Sequence, residues 1–221
     1  MSVRAARYAL AFTLILTAGT AAQAQAPATP APVPDRGYAE AIAESAFGNV
    51  TSQSFGAEIG VTVRPEIQVF GSFGMIRDVA TTEIGTSAST IALALAQLQP
   101  GAVSYSVKQP VTFFVGGVRY RIPVMSTLKP YVSGGVGMAN VKKDVKFLIG
   151  GSDAASTLAQ YVTLGTDIAG DESKVMFTLG GGVVYPVWRQ LFVDLHYQYG
   201  RISTETPITV NRAGLGAGVR F

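Results

Sequence analysis

From residue 37 to residue 221 the chain repeats one pattern: stretches of roughly ten residues with apolar side chains at every second position, separated by turn-forming or polar segments. A period of two marks strands, because successive side chains leave a β-backbone on opposite faces. The terminal stretch NRAGLGAGVRF shows it plainly. Ala213, Leu215, Ala217, Val219 and Phe221 fall on one face, and Arg212, Gly214, Gly216, Gly218 and Arg220 on the other. Eight such stretches can be marked, near 37–48, 54–64, 66–77, 109–122, 128–141, 174–186, 189–201 and 209–221.

The connections alternate in length. Those after the second, fourth and sixth stretches are short (RPE, PVMST, PVWRQ), whereas those after the third and fifth run to roughly thirty residues. Consecutive antiparallel strands joined in this way place every short turn at one end and every long loop at the other. An even strand number, about ten residues per strand and this asymmetry are expected of a transmembrane β-barrel. The competitor is a water-soluble eight-stranded barrel, which would point its apolar face inward.

The composition of the two faces separates these readings. Phe55, Ala57, Ile59, Val61 and Val63 share one side of the second stretch, opposite Glu58, Gly60, Thr62 and Arg64. In the seventh, Leu191, Val193, Leu195, Tyr197 and Tyr199 oppose Asp194, His196 and Gln198. Charges thus gather on a glycine-rich face that suits a narrow lumen better than a water-facing surface, so the apolar face is expected to meet lipid. Aromatic residues on that face form two bands: Phe47, Phe55 and Tyr199 toward the long loops, and Tyr120, Tyr185, Trp188 and Phe221 toward the short turns, as interfacial girdles would. The hydrophobic fraction of 48% is high beside 14% charged residues, yet no run reaches the roughly 18 apolar residues of a membrane-spanning helix.

Residues 1–24 carry Arg4 and Arg7, an apolar run around 8–16 and small residues leading to Ala22-Gln23-Ala24. They read as a secretory signal peptide cleaved after Ala24. Residues 25–36 form a Pro/Ala-rich periplasmic leader of extended character, and 37–221 the barrel. Loss of the two arginines lowers the formal charge from +3 to +1, so a nucleic-acid partner is not expected.

A last strand ending in VRF, with apolar residues at alternate positions back from Phe221, resembles the C-terminal assembly signal of Gram-negative outer-membrane barrels. GGVRYRIP and LKPYVSGGVG, flanking a short turn, are similar to the small eight-stranded OmpA-like outer-membrane β-barrel superfamily. The resemblance covers about 37–221 and implies a bacterial outer-membrane location, outer-membrane lipids and the barrel assembly machinery as partners, and Val219 and Phe221 as the assembly signal. No peptidoglycan-binding domain is expected after the barrel.

Residues able to do chemistry are few. Cysteine is absent and His196 is the single histidine, which disfavours thiolate chemistry and soft metal sites. His196 beside Asp194 is better read as a polar lumen residue than as half of a catalytic dyad. Asp167, Asp171 and Glu172 in DIAGDES match no established calcium spacing. GGGVV and GGVGM lie within strand patterns and lack the Lys-Ser/Thr ending of a phosphate loop. Short helices are expected in the long loops, near 90–98 and 153–163, with apolar residues that cap the barrel mouth.

The expected architecture is therefore all-β: an eight-stranded antiparallel up-and-down transmembrane β-barrel with short helices in the long extracellular loops. Its lumen should be plugged by a charge network of Glu40, Glu44, Glu58, Arg64, Arg119, Arg121, Asp194, Arg212 and Arg220. No catalytic, cofactor or metal site is expected. The functional expectation is a non-enzymatic structural or surface-interaction protein, with an extracellular ligand left open. A narrow pore for small solutes is the alternative, and a lipid-modifying enzyme the third reading.

Overall fold

The computed structural model describes residues 36–98, 102–150, 152–153 and 170–221. In chain order the elements are β1 (Gly37–Phe47), β2 (Ser52–Arg64), β3 (Ile67–Ile76), α1 (Thr82–Leu98), β4 (Val103–Lys108), β5 (Val111–Arg121), β6 (Lys129–Ile149), β7 (Ser152–Asp153), β8 (Gly170–Trp188), β9 (Leu191–Ile202) and β10 (Ile208–Arg220). Eight of the strands form a closed antiparallel ring in the order β1, β2, β3, β5, β6, β8, β9, β10. The seam between β10 and β1 is fully paired, from Tyr38 opposite Arg220 to Phe47 opposite Asn211. It ends in a clasp: Gly37 and Phe221 exchange backbone hydrogen bonds of 2.9 and 3.0 Å. The short turns at 65–66, 122–128 and 189–190 lie at one end, and the loops at 48–51 and 203–207, with α1 and β4, at the other.

The faces are disposed as the alternation predicts. Leu179, Leu195 and Phe73 point outward and are 66%, 62% and 58% exposed, whereas Glu40, Glu58, Arg119 and Asp194 are buried inside the ring. A wall of large exposed apolar side chains far exceeds the patches a water-soluble monomer tolerates; it is the surface of a barrel whose solvent is lipid. Phe47, Phe55, Tyr120, Tyr185, Trp188 and Phe221 all stand on this outer face. Among the described residues no helix is long and apolar enough to cross a membrane.

At the long-loop end the fold exceeds the sequence expectation. β6 continues to Ile149, eight residues past its expected end, because VKKDVKFLI keeps alternating and finds a partner in β4. The β4 segment VSYSVK was expected to be loop. Its residues 103–108 pair with 144–149. The helix is also longer than the expected 90–98, beginning at Thr82. Its buried face, Ala88, Ala92 and Leu95, packs on Phe147, with Val103, Val107, Val145 and Ile149 around it. The helix builds a small core on the strand extension, distinct from the lumenal one. Of the second expected helix, near 153–163, Asp153 belongs to β7 and the rest lies outside the described residues.

Candidate functional site

Lumen-facing positions on six strands converge on a two-tier charged cluster. In the first tier β1 and β2 set Glu40 and Glu58 directly opposite each other, an arrangement of like charges that would repel if left alone. Arg119 reaches from β5 across the lumen and resolves it. Its Nη2 donates to Glu58 Oε1 at 2.6 Å and Glu40 Oε1 at 3.1 Å, and lies 3.9 Å from Asp194 Oδ2. The guanidinium is sandwiched between the rings of Tyr38 and Tyr131, 4.7 and 4.0 Å from their centroids. The two hydroxyls complete the tier: Tyr38 donates to Glu58 at 2.5 Å and Tyr131 to Asp194 at 2.6 Å. Glycine makes room for both features. A Cβ at Gly60 would collide with the Tyr38 ring, and one at Gly216 would lie 2.6 Å from Glu40 Oε2.

The second tier lies nearer the long loops and is centred on Glu44. Arg212 Nη1 donates to Glu44 Oε2 at 3.1 Å, and Ser54 Oγ donates to the same oxygen at 2.8 Å. His196 Nε2 sits 3.1 Å from Glu44 Oε1. Arg212 also donates to Gln198 Oε1 and lies over the Phe113 ring at 4.5 Å. His196 Nδ1, 3.5 Å from Asp194 Oδ2, joins the two tiers. Beyond this tier the lumen turns apolar: Ile76, Val111, Val115, Val141, Met176 and Ile202 are at most 1% exposed. The loop after β3 is tied down at this end, where Asp78 Oδ1 accepts from the backbone N–H groups of Ala80 and Gln109 and Gln109 Oε1 accepts from that of Thr81. Between the tiers remains a cavity of about 30 Å³, room for no more than a couple of water-sized molecules.

Glu40, Glu44, Glu58, Arg119, Asp194 and Arg212 are thus brought together as expected. Three expected members are not. Arg64 lies past a register shift between Thr62 and Arg64 at the end of β2, and it is exposed instead of lumenal. Arg121 donates from Nε to the Pro65 carbonyl at 3.1 Å, bracing the first short turn. Arg220 lies over Phe192 at 6.0 Å, at the short-turn mouth and apart from the acids. Sequence reasoning missed Tyr38, Tyr131 and Ser54, all of which lie on the lumenal parity of their strands, and it placed Gln198 on the lumenal face without joining it to the network. It also missed the apolar layer, although Val111, Phe113 and Val115 on the inward face of β5 announced it.

The arrangement does not suit acyl transfer, which needs a histidine between a serine and an acid. Here the carboxylate of Glu44 stands between Ser54 and His196, so the imidazole does not reach the hydroxyl. Among the described residues no cluster of His, Cys, Asp and Glu is placed to hold a metal ion. Asp167 lies outside the described residues, and Glu172 is paired with Lys174 at 2.5 Å and Lys143 at 3.9 Å.

Residues 10–221 match a family model described as outer membrane protein beta-barrel domain. Among solved structures, Neisserial surface protein A superposes with a TM-score of 0.53 at 15% identity, covering 84% of this chain and 96% of its own. The N-terminal β-barrel domain of Pseudomonas aeruginosa OprF superposes with a TM-score of 0.50 at 18% identity, covering 84% and 96%. No curated protein matches the chain in sequence.

Proposed function

Since the chain belongs to the outer membrane protein beta-barrel domain family, we propose that it acts in the bacterial outer membrane as a non-enzymatic structural and surface-interaction protein. In this reading the barrel is a closed pedestal and the α1–β4–β6 platform is what it presents outside the cell. The observation that carries the proposal is the packed lumen, where two interlocked charged tiers are followed by a layer of buried apolar side chains. An eight-stranded ring is only wide enough for side chains to fill. Val219 and Phe221, on the outer face of the closing strand, serve as the signal read by the barrel assembly machinery, after export and cleavage behind Ala24. Outer-membrane lipids cover the apolar wall, and an extracellular ligand would meet the platform.

Conductance tests the plug. Purified wild-type protein inserted into planar bilayers should show little steady current. Stable, well-resolved channels, from preparations free of contaminating porins, would replace this reading with that of a narrow pore for small solutes.

A further inference from the structure

The short-turn end of the barrel holds a second, larger cavity of about 290 Å³, which narrows inward to the Tyr38–Arg119–Tyr131 stack. Short turns are periplasmic in outer-membrane barrels, so this vestibule opens toward the periplasm. Its charge is one-sided. Arg119, Arg121, Lys129 and Arg220 line it against a single acid, Glu66, while Glu40, Glu58 and Asp194 stand behind Arg119 and are not part of its lining. Two of the cations carry unused donors: Nε of Arg119 and Nε of Arg220 are shielded from solvent and have no hydrogen-bond partner. Arg119 as a whole is 95% buried, and Nε of Arg212 in the second tier is left without a partner in the same way, so the vestibule is set apart by the cations at its mouth and not by its orphan donors. The remaining wall is apolar and aromatic, with Tyr131, Phe192, Val184 and Ile122 among its members.

We propose that this vestibule is a binding site for a small organic anion, a carboxylate or phosphate ester carried on an apolar body, entering from the periplasm. The volume suits a ligand of about ten heavy atoms, near the lower limit of ordinary ligand pockets. Lys129 and Arg220 at the mouth would take the anionic group, and Tyr131 and Phe192 would flank the body. Lipid phosphates share the chemistry, but the barrel wall separates the vestibule from the bilayer. The occupant is therefore a soluble molecule. This site lies at the opposite end from the surface platform and does not depend on whether that platform binds anything.

The test uses full-length folded protein in phosphatidylcholine nanodiscs, titrated with benzoate and phenyl phosphate, and with neutral benzyl alcohol as the isostere. Saturable binding of the two anions, followed by calorimetry, is expected without binding of the alcohol. Arg220→Gln and Lys129→Gln should each weaken the anions by about tenfold, the scale of one charge-assisted contact, while Lys142→Gln at the other end changes nothing. Lys129 sits at the start of β6 beside a turn, so its variant remains informative if Arg220→Gln, in the closing strand, does not assemble. Equal binding of benzyl alcohol, no saturable binding at millimolar anion, or unchanged affinity in folded Lys129→Gln overturns the site. Competition by phosphatidylglycerol nanodiscs would assign the phosphate chemistry to lipid and overturn the soluble occupant.

Discussion

Arg119 carries an unequal load, one guanidinium against the carboxylates of Glu40, Glu58 and Asp194. Arg119→Leu leaves two acids facing each other in a dry interior and should cost about 3 to 5 kcal/mol. Glu58→Gln leaves Arg119 bound to Glu40 and keeps an oxygen for the Tyr38 hydroxyl, so about 1 to 2 kcal/mol is expected. Reversible urea unfolding in lipid vesicles distinguishes them, and equal losses would mean that water screens the tier. On the outer wall, Leu195→Arg should cost about 2 to 4 kcal/mol and Trp188→Arg, at the interface, about 0 to 1. The same measurement, showing no dependence on depth, would contradict the lipid-facing assignment. Gln198→Arg is no mild control for these, since Gln198 accepts from Arg212 and a second guanidinium there would be repelled. The six acids and arginines of the cluster were legible because parity along a strand survives any twist of the sheet. Arg64 was misplaced because a bulge breaks parity locally, and Tyr38 and Tyr131 were missed because a tyrosine fits either face of a membrane strand.

Elements follow the same division. The eight ring strands were readable from alternation and loop length, which the barrel imposes on every strand alike. The platform was not, because β4 is six residues long and acquires its strand character only by pairing with the continuation of β6. A helix start at Thr82 was equally hidden. TEIGTSAS holds few apolar residues, and Ala88 becomes core only once Phe147 and the strand extension lie beneath it. The platform's independence from the lumenal core leads to a separable phenotype. Phe147→Ala should remove about 3 to 5 kcal/mol of local stability and expose the 77–110 connection to protease, while the barrel keeps its compact migration on unheated gels. Loss of that migration would show that platform and barrel unfold together.

For the molecule as a whole, closure depends on the seam, where the last residue clasps the first residue of β1. Phe221→Glu should abolish outer-membrane assembly while leaving export intact, read as periplasmic accumulation of processed protein; normal surface levels would dismiss Phe221 as an assembly signal. Closure also imposes an order of events. Glu40 and Glu58 meet as soon as β1 and β2 form a hairpin, yet their counter-charge is 79 and 61 residues further along the chain, on β5. Asp194, farther still, arrives with β9. An early sheet of β1 to β3 therefore holds three lumenal carboxylates, Glu44 among them, with no arginine beside them, and these must stay hydrated. Such a sheet cannot enter a bilayer alone without taking water with it. Insertion must wait until the distant strands arrive, so the arginine acts as a timing device that makes half-built barrels unwelcome in the membrane.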